Sequence, residues 1–216
     1  MTYDIQLNEN TFVLHCSGAI FWKEQNMLLI SDVHLGKVTH FRKHGFALPP
    51  NAVAGNFLRL TKVADHFKAG TLCFLGDLFH SKLNTEWALF EEWVRGRAEK
   101  IVLVEGNHDI LSPKLYADLG VVLLPELIAD GFLLVHEPEL REGLFTFCGH
   151  IHPGIRLSGA GRQILQLPCF FQSEQQLILP AFGEFTGKFL LKPAENDVVY
   201  AITKDEVIKV SIDIYP

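Results

Sequence analysis

Apolar residues fall into short blocks between polar turns, and two periods alternate along the chain. Apolar blocks at Met27–Ile30, Thr71–Leu75, Ile101–Val104, Val121–Leu124, Phe132–Val135 and Leu144–Phe147 predict buried strands. Between the first two, Val53, Phe57, Leu60, Ala64 and Phe67 recur at i, i+4, i+7, i+11 and i+14. That is one face of a helix, beginning after Pro49-Pro50 with Asn51 as a candidate cap. Further helices are predicted over Thr85–Arg97 and Pro113–Leu119, the latter stopped by Gly120. After His152 the pattern turns to strands: Gln163–Leu167, Gln176–Leu179, Val198–Thr203 and Val207–Ile212. The beginning is strand-like too, at Tyr3–Leu7 and Phe12–Cys16. Strands alternating with helices, with strands at both ends, predict an α/β chain with two sheets flanked by helices. No repeat, linker or low-complexity tract divides residues 1–216, and Lys192–Asp197 reads as a turn, so a single domain is expected.

Five of these blocks run directly into polar groups able to bind metal. They lead to Asp32 and His34, to Gly76-Asp77, to Gly106-Asn107-His108-Asp109, to His136, and to Gly149-His150-Ile151-His152. Each cluster alone is compatible with an ordinary turn. Together they are more telling, because open α/β sheets bind ligands at the carboxyl ends of their strands. Groups about 120 residues apart can then converge.

The donors are carboxylates, imidazoles and one amide, without thiolate. This set favours Mn²⁺, Fe or Zn²⁺ at a pair of divalent sites. Asp32, His34, Asp77 and His152 could hold one ion, and Asp77, Asn107, His136 and His150 the other, with Asp77 bridging. Neutral imidazoles leave such a site net positive, suited to a phosphate oxyanion. Paired ions acidify a bound water and clamp the attacking and leaving oxygens for in-line displacement. His108 remains as a group that could protonate the leaving oxygen, with Asp109 orienting it or capping a helix.

Composition constrains the rest. Net charge is −6, which argues against a large basic nucleic-acid surface but leaves local positive potential open. No apolar run suits a membrane span, and MTYDIQLNEN lacks the features of a signal peptide. Cys16, Cys73, Cys148 and Cys169 are scattered among apolar stretches and read as reduced core thiols of a cytoplasmic protein.

The motif order D-x-H, G-D, G-N-H-D, lone His and G-H-x-H closely resembles the calcineurin-like metallophosphoesterase superfamily over residues 27–152. HLGKVTHFRKHGFALP, GDLFHS, HEP, GHIHPGIRL, LPCFF and LPAFGEFTG further resemble the ligase-associated DNA damage response endonuclease family, extending the likeness to about residue 187. The resemblance implies a four-layer αββα sandwich of two mixed sheets and the ligand set above. It implies a Mn²⁺-dependent phosphodiesterase, a DNA endonuclease that uses a metal-bridging hydroxide. DNA repair ligases, helicases and nucleases are the partners it implies. The same chemistry would serve a small phosphodiester or phosphomonoester, and a non-catalytic scaffold is a third reading. One departure is Glu137-Pro138 after the lone histidine, where the superfamily often has glycine.

On a helix over 36–45, Lys37, His40, Lys43 and His44 share one arc, opposite Leu35, Val38 and Phe41. This face and its N-terminus could guide an anionic backbone to the metals, or be merely solvated. His80 could line the same pocket or cap its loop, and Arg156 and Arg162 could touch phosphate or lie in a surface turn. Phe170, Phe171, Phe182 and Phe185 fit either base stacking or the second sheet's core.

Overall fold

The computed structural model describes residues 2–45, 52–80, 83–159, 161 and 163–211, without the side chain of Lys43. Asn51 and Arg162, and the sequence expectations placed on them, lie outside the described residues.

The first sheet has seven strands in chain order: β1 (Thr2–Leu7), β2 (Asn10–His15), β3 (Ile20–Trp22), β4 (Met27–Ile30), β5 (Thr71–Leu75), β6 (Lys100–Val104) and β7 (Val122–Leu124). Pairing is antiparallel from β1 to β4 and parallel from β4 to β7. Helices make the parallel crossovers. They are α1 (Lys37–Lys43) and α2 (Ala52–Phe67) after β4, α3 (Thr85–Arg95) after β5, and α4 (Pro113–Asp118) after β6.

The second sheet has nine strands: β8 (Leu127–Ala129), β9 (Phe132–Leu134), β10 (Phe145–Cys148), β11 (Pro153–Ser158), β12 (Ile164–Gln172), β13 (Gln176–Ile178), β14 (Phe189–Leu190), β15 (Val198–Ile202) and β16 (Val207–Val210). It too is mixed: β9, β10 and β13 run parallel, while β11, β12 and β15 pair antiparallel.

The period of two sorts side chains between layers. Leu28, Ile30, Leu72, Phe74, Ile101 and Leu103 face the helices and pack with Leu60, Ala64 and Phe90. Their neighbours Leu29, Cys73, Leu75, Val102 and Val104 face the second sheet, against Phe132, Leu134, Phe147 and Phe170. The two mixed sheets and the helical layer follow the expected α/β architecture. The expected helix layer outside the second sheet is not seen among the described residues. There Leu133, Cys148, Cys169, Phe171 and Val199 pack with other strand and loop residues.

Phe170 and Phe171 are buried in the core of the second sheet, as expected, whereas Phe182 is buried on the helix side of the first sheet and Phe185 is half-buried. Strand β12 runs through Pro168, where the sequence pattern breaks. Pro168 faces Gly154 on β11 and Cys169 onward pairs with β15, so the strand changes neighbours at the residue that cannot donate. None of the four cysteines is in a disulfide, and Cys73, Cys148 and Cys169 are buried. No helix of the described residues is long and apolar enough to cross a membrane.

Candidate metal centre

The carboxyl ends of β4, β5 and β6 from one sheet and of β9 and β10 from the other meet at one edge. The loops that follow them are laced together. Asp32 N–H donates to Gly76 O, His34 N–H to Asp77 O and Leu35 N–H to Leu78 O, at 3.2, 2.9 and 2.8 Å. Gly149 N–H donates to His136 O at 2.9 Å, and Gly183 N–H to Asp32 O at 3.0 Å.

This lacing gathers two groups of donor atoms. In the first, His152 Nε2 lies 3.1 Å from Asp32 Oδ1 and 3.3 Å from His34 Nε2. His34 Nε2 is 3.8 Å from Asp32 Oδ1 and 3.9 Å from Asp77 Oδ2. In the second, Asn107 Oδ1, His136 Nε2 and His150 Nδ1 lie 3.0 to 3.2 Å from one another. Asp77 Oδ1 is 3.3 Å from His136 Nε2.

Hydrogen bonding shows what these atoms lack. His136 Nδ1 lies 3.0 Å from Leu75 O, a carbonyl that only accepts, so Nδ1 is the donor there and Nε2 is the ring atom turned to the site. Nε2 faces Asn107 Oδ1 at 3.0 Å and Asp77 Oδ1 at 3.3 Å. Asp32 Oδ2 takes the Ser31 hydroxyl at 2.6 Å and the His150 N–H at 3.0 Å, leaving Oδ1 without a well-formed hydrogen bond. Converging carboxylate, imidazole and amide ligand atoms, with a buried Asp32 oxygen left unpartnered, fit divalent cations.

Electrostatics agree. Burial raises the Asp32 carboxyl, but the His152 imidazole and the Ser31 hydroxyl outweigh it and hold the pKa below its ordinary value. Burial lowers His34 to about 3, opposed by Asp32 and aided by Lys37, so its ring is neutral. The backbone marks the same place: Asp32, His34, Asp77, His150 and His152 all have positive φ, between 50° and 66°. Left-handed non-glycine residues are uncommon and cluster at functional sites.

A sequence model of calcineurin-like phosphoesterases matches residues 26–152, more than half of the chain and all five strand-end clusters. The chain belongs to the calcineurin-like phosphoesterase family. This phosphoesterase is therefore a metal-dependent hydrolase of phosphate esters. Nuclease MPE of Pseudomonas putida is a similar solved structure. It is 30% identical, with a TM-score of 0.82, over 97% of this chain and 100% of that one. A protein of unknown function from Aquifex aeolicus, AQ665, is 19% identical with a TM-score of 0.42, over 58% of this chain and 78% of that one. No curated protein sequence gives a significant match.

Other positions of the phosphoesterase differ from what the sequence suggests. Asp109 does not orient His108: its Oδ1 accepts from Phe79 N–H and its Oδ2 from Gly106 N–H, both at 3.0 Å. It ties two site loops together, and burial pushes its pKa up to about 6. The N-terminus of α1 is not open to anions. The Glu86 carboxylate occupies it, accepting from Gly36 N–H at 2.7 Å and from Thr39 N–H at 3.0 Å. Lys37 is half-buried at the site, where burial lowers its pKa and Asp32 and Asp77 oppose the shift. His80 packs 4.7 Å from His108 and 5.3 Å from His34, ring to ring, and so lines the site edge. His40 is 6.1 Å from His80, whereas His44 is exposed and packs at a tilt against His40, ring centroids 4.4 Å apart. Arg156 is exposed on β11.

Ser31 and Glu86 escaped the sequence reading, although Glu86 left a signal. It lies four and eight residues before Phe90 and Val94, on the buried face of α3, where a charge needs a partner. The site glycines are spacers more than turns. A Cβ on Gly76 would come 2.3 Å from His136 Nδ1, and one on Gly106 2.3 Å from Asp77 N.

Proposed function

We propose that this phosphoesterase is a nuclease that hydrolyses DNA phosphodiesters with two divalent cations, most simply Mn²⁺. Asp32, His34, His152 and Asp77 would hold one ion, and Asp77, Asn107, His136 and His150 the other. When bound, such a pair supplies Lewis-acid polarisation of the phosphate and an acidified water for in-line displacement. The chain's own groups then have separate tasks. Neutral His34 offers a lone pair without a competing proton, and His136, its Nδ1 held by Leu75 O, turns Nε2 to the site. Lys37 adds a fixed positive charge beside the phosphate oxygens. His108, half-buried and backed by His80, stands at the edge where it can protonate the leaving oxygen. Asp109 acts through the loops it joins, as a positioning residue.

The observation that carries the chemistry is the convergence of ligand atoms around Asp77. The choice of DNA rests on the likeness to a nuclease over nearly the whole chain. Work alongside DNA repair ligases, helicases and nucleases, inside the reducing cytoplasm, extends that choice by resemblance. We also take residues 1–216 as one domain, because both sheets share one apolar layer.

The test compares Mn²⁺-supplied cleavage of single-stranded DNA, duplex DNA, a chromogenic diester and the matching monoester. DNA and diester cleavage abolished by chelation is expected. A preference for the monoester would overturn the nuclease assignment, and undiminished turnover after exhaustive chelation would overturn the metal chemistry.

A further inference from the structure

Two grooves extend the surface away from the metal centre, and they share a residue. The first, about 290 Å³, is lined by His152, Phe182, Gly183, Thr186, Lys188 and Arg59 among others. The second, about 480 Å³, is lined by Arg59 together with His15, Lys62, His66 and Lys204. Arg59 thus joins a groove that starts at a candidate metal ligand to one that lies beyond it.

Arg59 is fixed in place. Its Nη1 donates to Phe182 O at 2.8 Å and its Nη2 to Ser17 O at 3.1 Å, and the guanidinium lies 4.6 Å over the Phe182 ring. Glu184, at 4.0 Å, is the acid beside it on the first groove. Arg59, Lys62 and His66 follow at i, i+3 and i+7, one face of α2, and Lys204 joins them from the turn between β15 and β16. Among the described residues no carboxylate lines the second groove, in a chain whose net charge is −6. A concave surface of one sign of charge concentrates polyanions.

We infer that the Arg59 face of α2 is a backbone track, which holds phosphates of a polynucleotide strand on one side of the scissile bond. The inference rests on the nuclease reading above and names the part of the substrate that the metal centre does not touch. Charges on the track need only meet phosphates, so binding there is independent of base sequence. A small diester is too short to reach it.

The test is steady-state cleavage by the metal-loaded full chain and by its Lys62→Ala/Lys204→Ala variant. Both lysines are exposed, so the fold is spared. The substrates are a long single-stranded oligonucleotide and a small chromogenic diester. For the oligonucleotide, KM should rise several-fold. Its dependence on log salt should become shallower by about 1.4, or about 0.7 for each phosphate that a lysine no longer neutralises. Values for the small diester should not move. An unchanged KM and salt slope on an oligonucleotide that the wild type cleaves would overturn the track alone, as would equal losses on both substrates. A wild type that cleaves the small diester but no polynucleotide would overturn the nuclease reading and the track with it.

Discussion

Asp77 stands between the two donor groups, with Oδ1 3.3 Å from His136 Nε2 and Oδ2 3.9 Å from His34 Nε2. Its carboxylate and that of Asp32 are both buried, with oxygens within 4.8 Å of each other, so without cations two acids share one enclosed site. Asp77→Asn should therefore leave the metal-free protein as stable as wild type, or more so. Metal should behave oppositely. At a hundred times its Kd, a metal ion stabilises the wild type by about 2.7 kcal/mol, and the variant should lose most of that gain. Turnover should fall by about a hundredfold or more. Thermal unfolding with and without Mn²⁺ checks this, and a variant stabilised by metal as fully as wild type would remove Asp77 from the centre.

Gly149 makes a second test, because space and backbone can be separated. A Cβ there would lie 1.7 Å from Ser31 Oγ and 2.4 Å from Asp32 Oδ2. Gly149→Ala must displace Asp32, and metal affinity should drop about 10–100-fold. Gly143 has φ +78 but open space around it, so Gly143→Ala should cost about 1 kcal/mol of stability and leave metal affinity alone. Titration calorimetry with Mn²⁺ compares them, and equal affinities would show that Gly149 is an ordinary turn residue.

The sequence made the strands and the five candidate ligand clusters legible for one physical reason. Buried strands such as Met27–Ile30 and Thr71–Leu75 are continuous apolar runs, and a polar residue ends each abruptly. What it hid depends on contacts between distant segments. Pro168 looked like a strand end because its pairing with Gly154 is visible only in three dimensions. Asp109 looked like a partner for its neighbour His108, but its carboxylate bonds to Phe79 and Gly106 backbone. The basic arc of α1 was visible, whereas the acid that closes its N-terminus comes from a helix fifty residues away. The Arg59 track was invisible because Lys204 reaches it from the far end of the chain.

His15 should shape the pH dependence of stability. Burial and then the charge of His66 lower its pKa from 6.5 to about 4. The ring meets Ser17 Oγ at 2.8 Å, with Cys16 and His66 beside it and Arg59, Lys62 and Lys204 around the groove. Between pH 4 and 6.5 the unfolded chain binds this proton and the folded chain does not, so stability falls as pH falls through that window. His15→Gln should flatten the decline relative to wild type. Urea unfolding of both proteins at several pH values across the window measures it, and parallel curves would exclude His15 as a contributor.

Glu86 links two helices through one buried carboxylate. It sits in the first turn of α3 and caps α1, accepting from Gly36 N–H at 2.7 Å and from Thr39 N–H and Oγ1 at 3.0 and 2.7 Å. Two helix N-termini thus stabilise its charge, and in return it meets donors that α1 cannot satisfy itself. Glu86→Ala would strand those donors and should cost about 2–4 kcal/mol. Glu86→Gln can still accept from Thr39 but turns one donor against another at Gly36, so its cost should be smaller. Because α1 carries Lys37 to the metal centre, turnover should drop in the same order, Ala below Gln below wild type. Urea unfolding and saturating turnover for the three proteins check both ranks. A loss for Glu86→Ala below about 0.5 kcal/mol would mean that α1 is held by its apolar side alone.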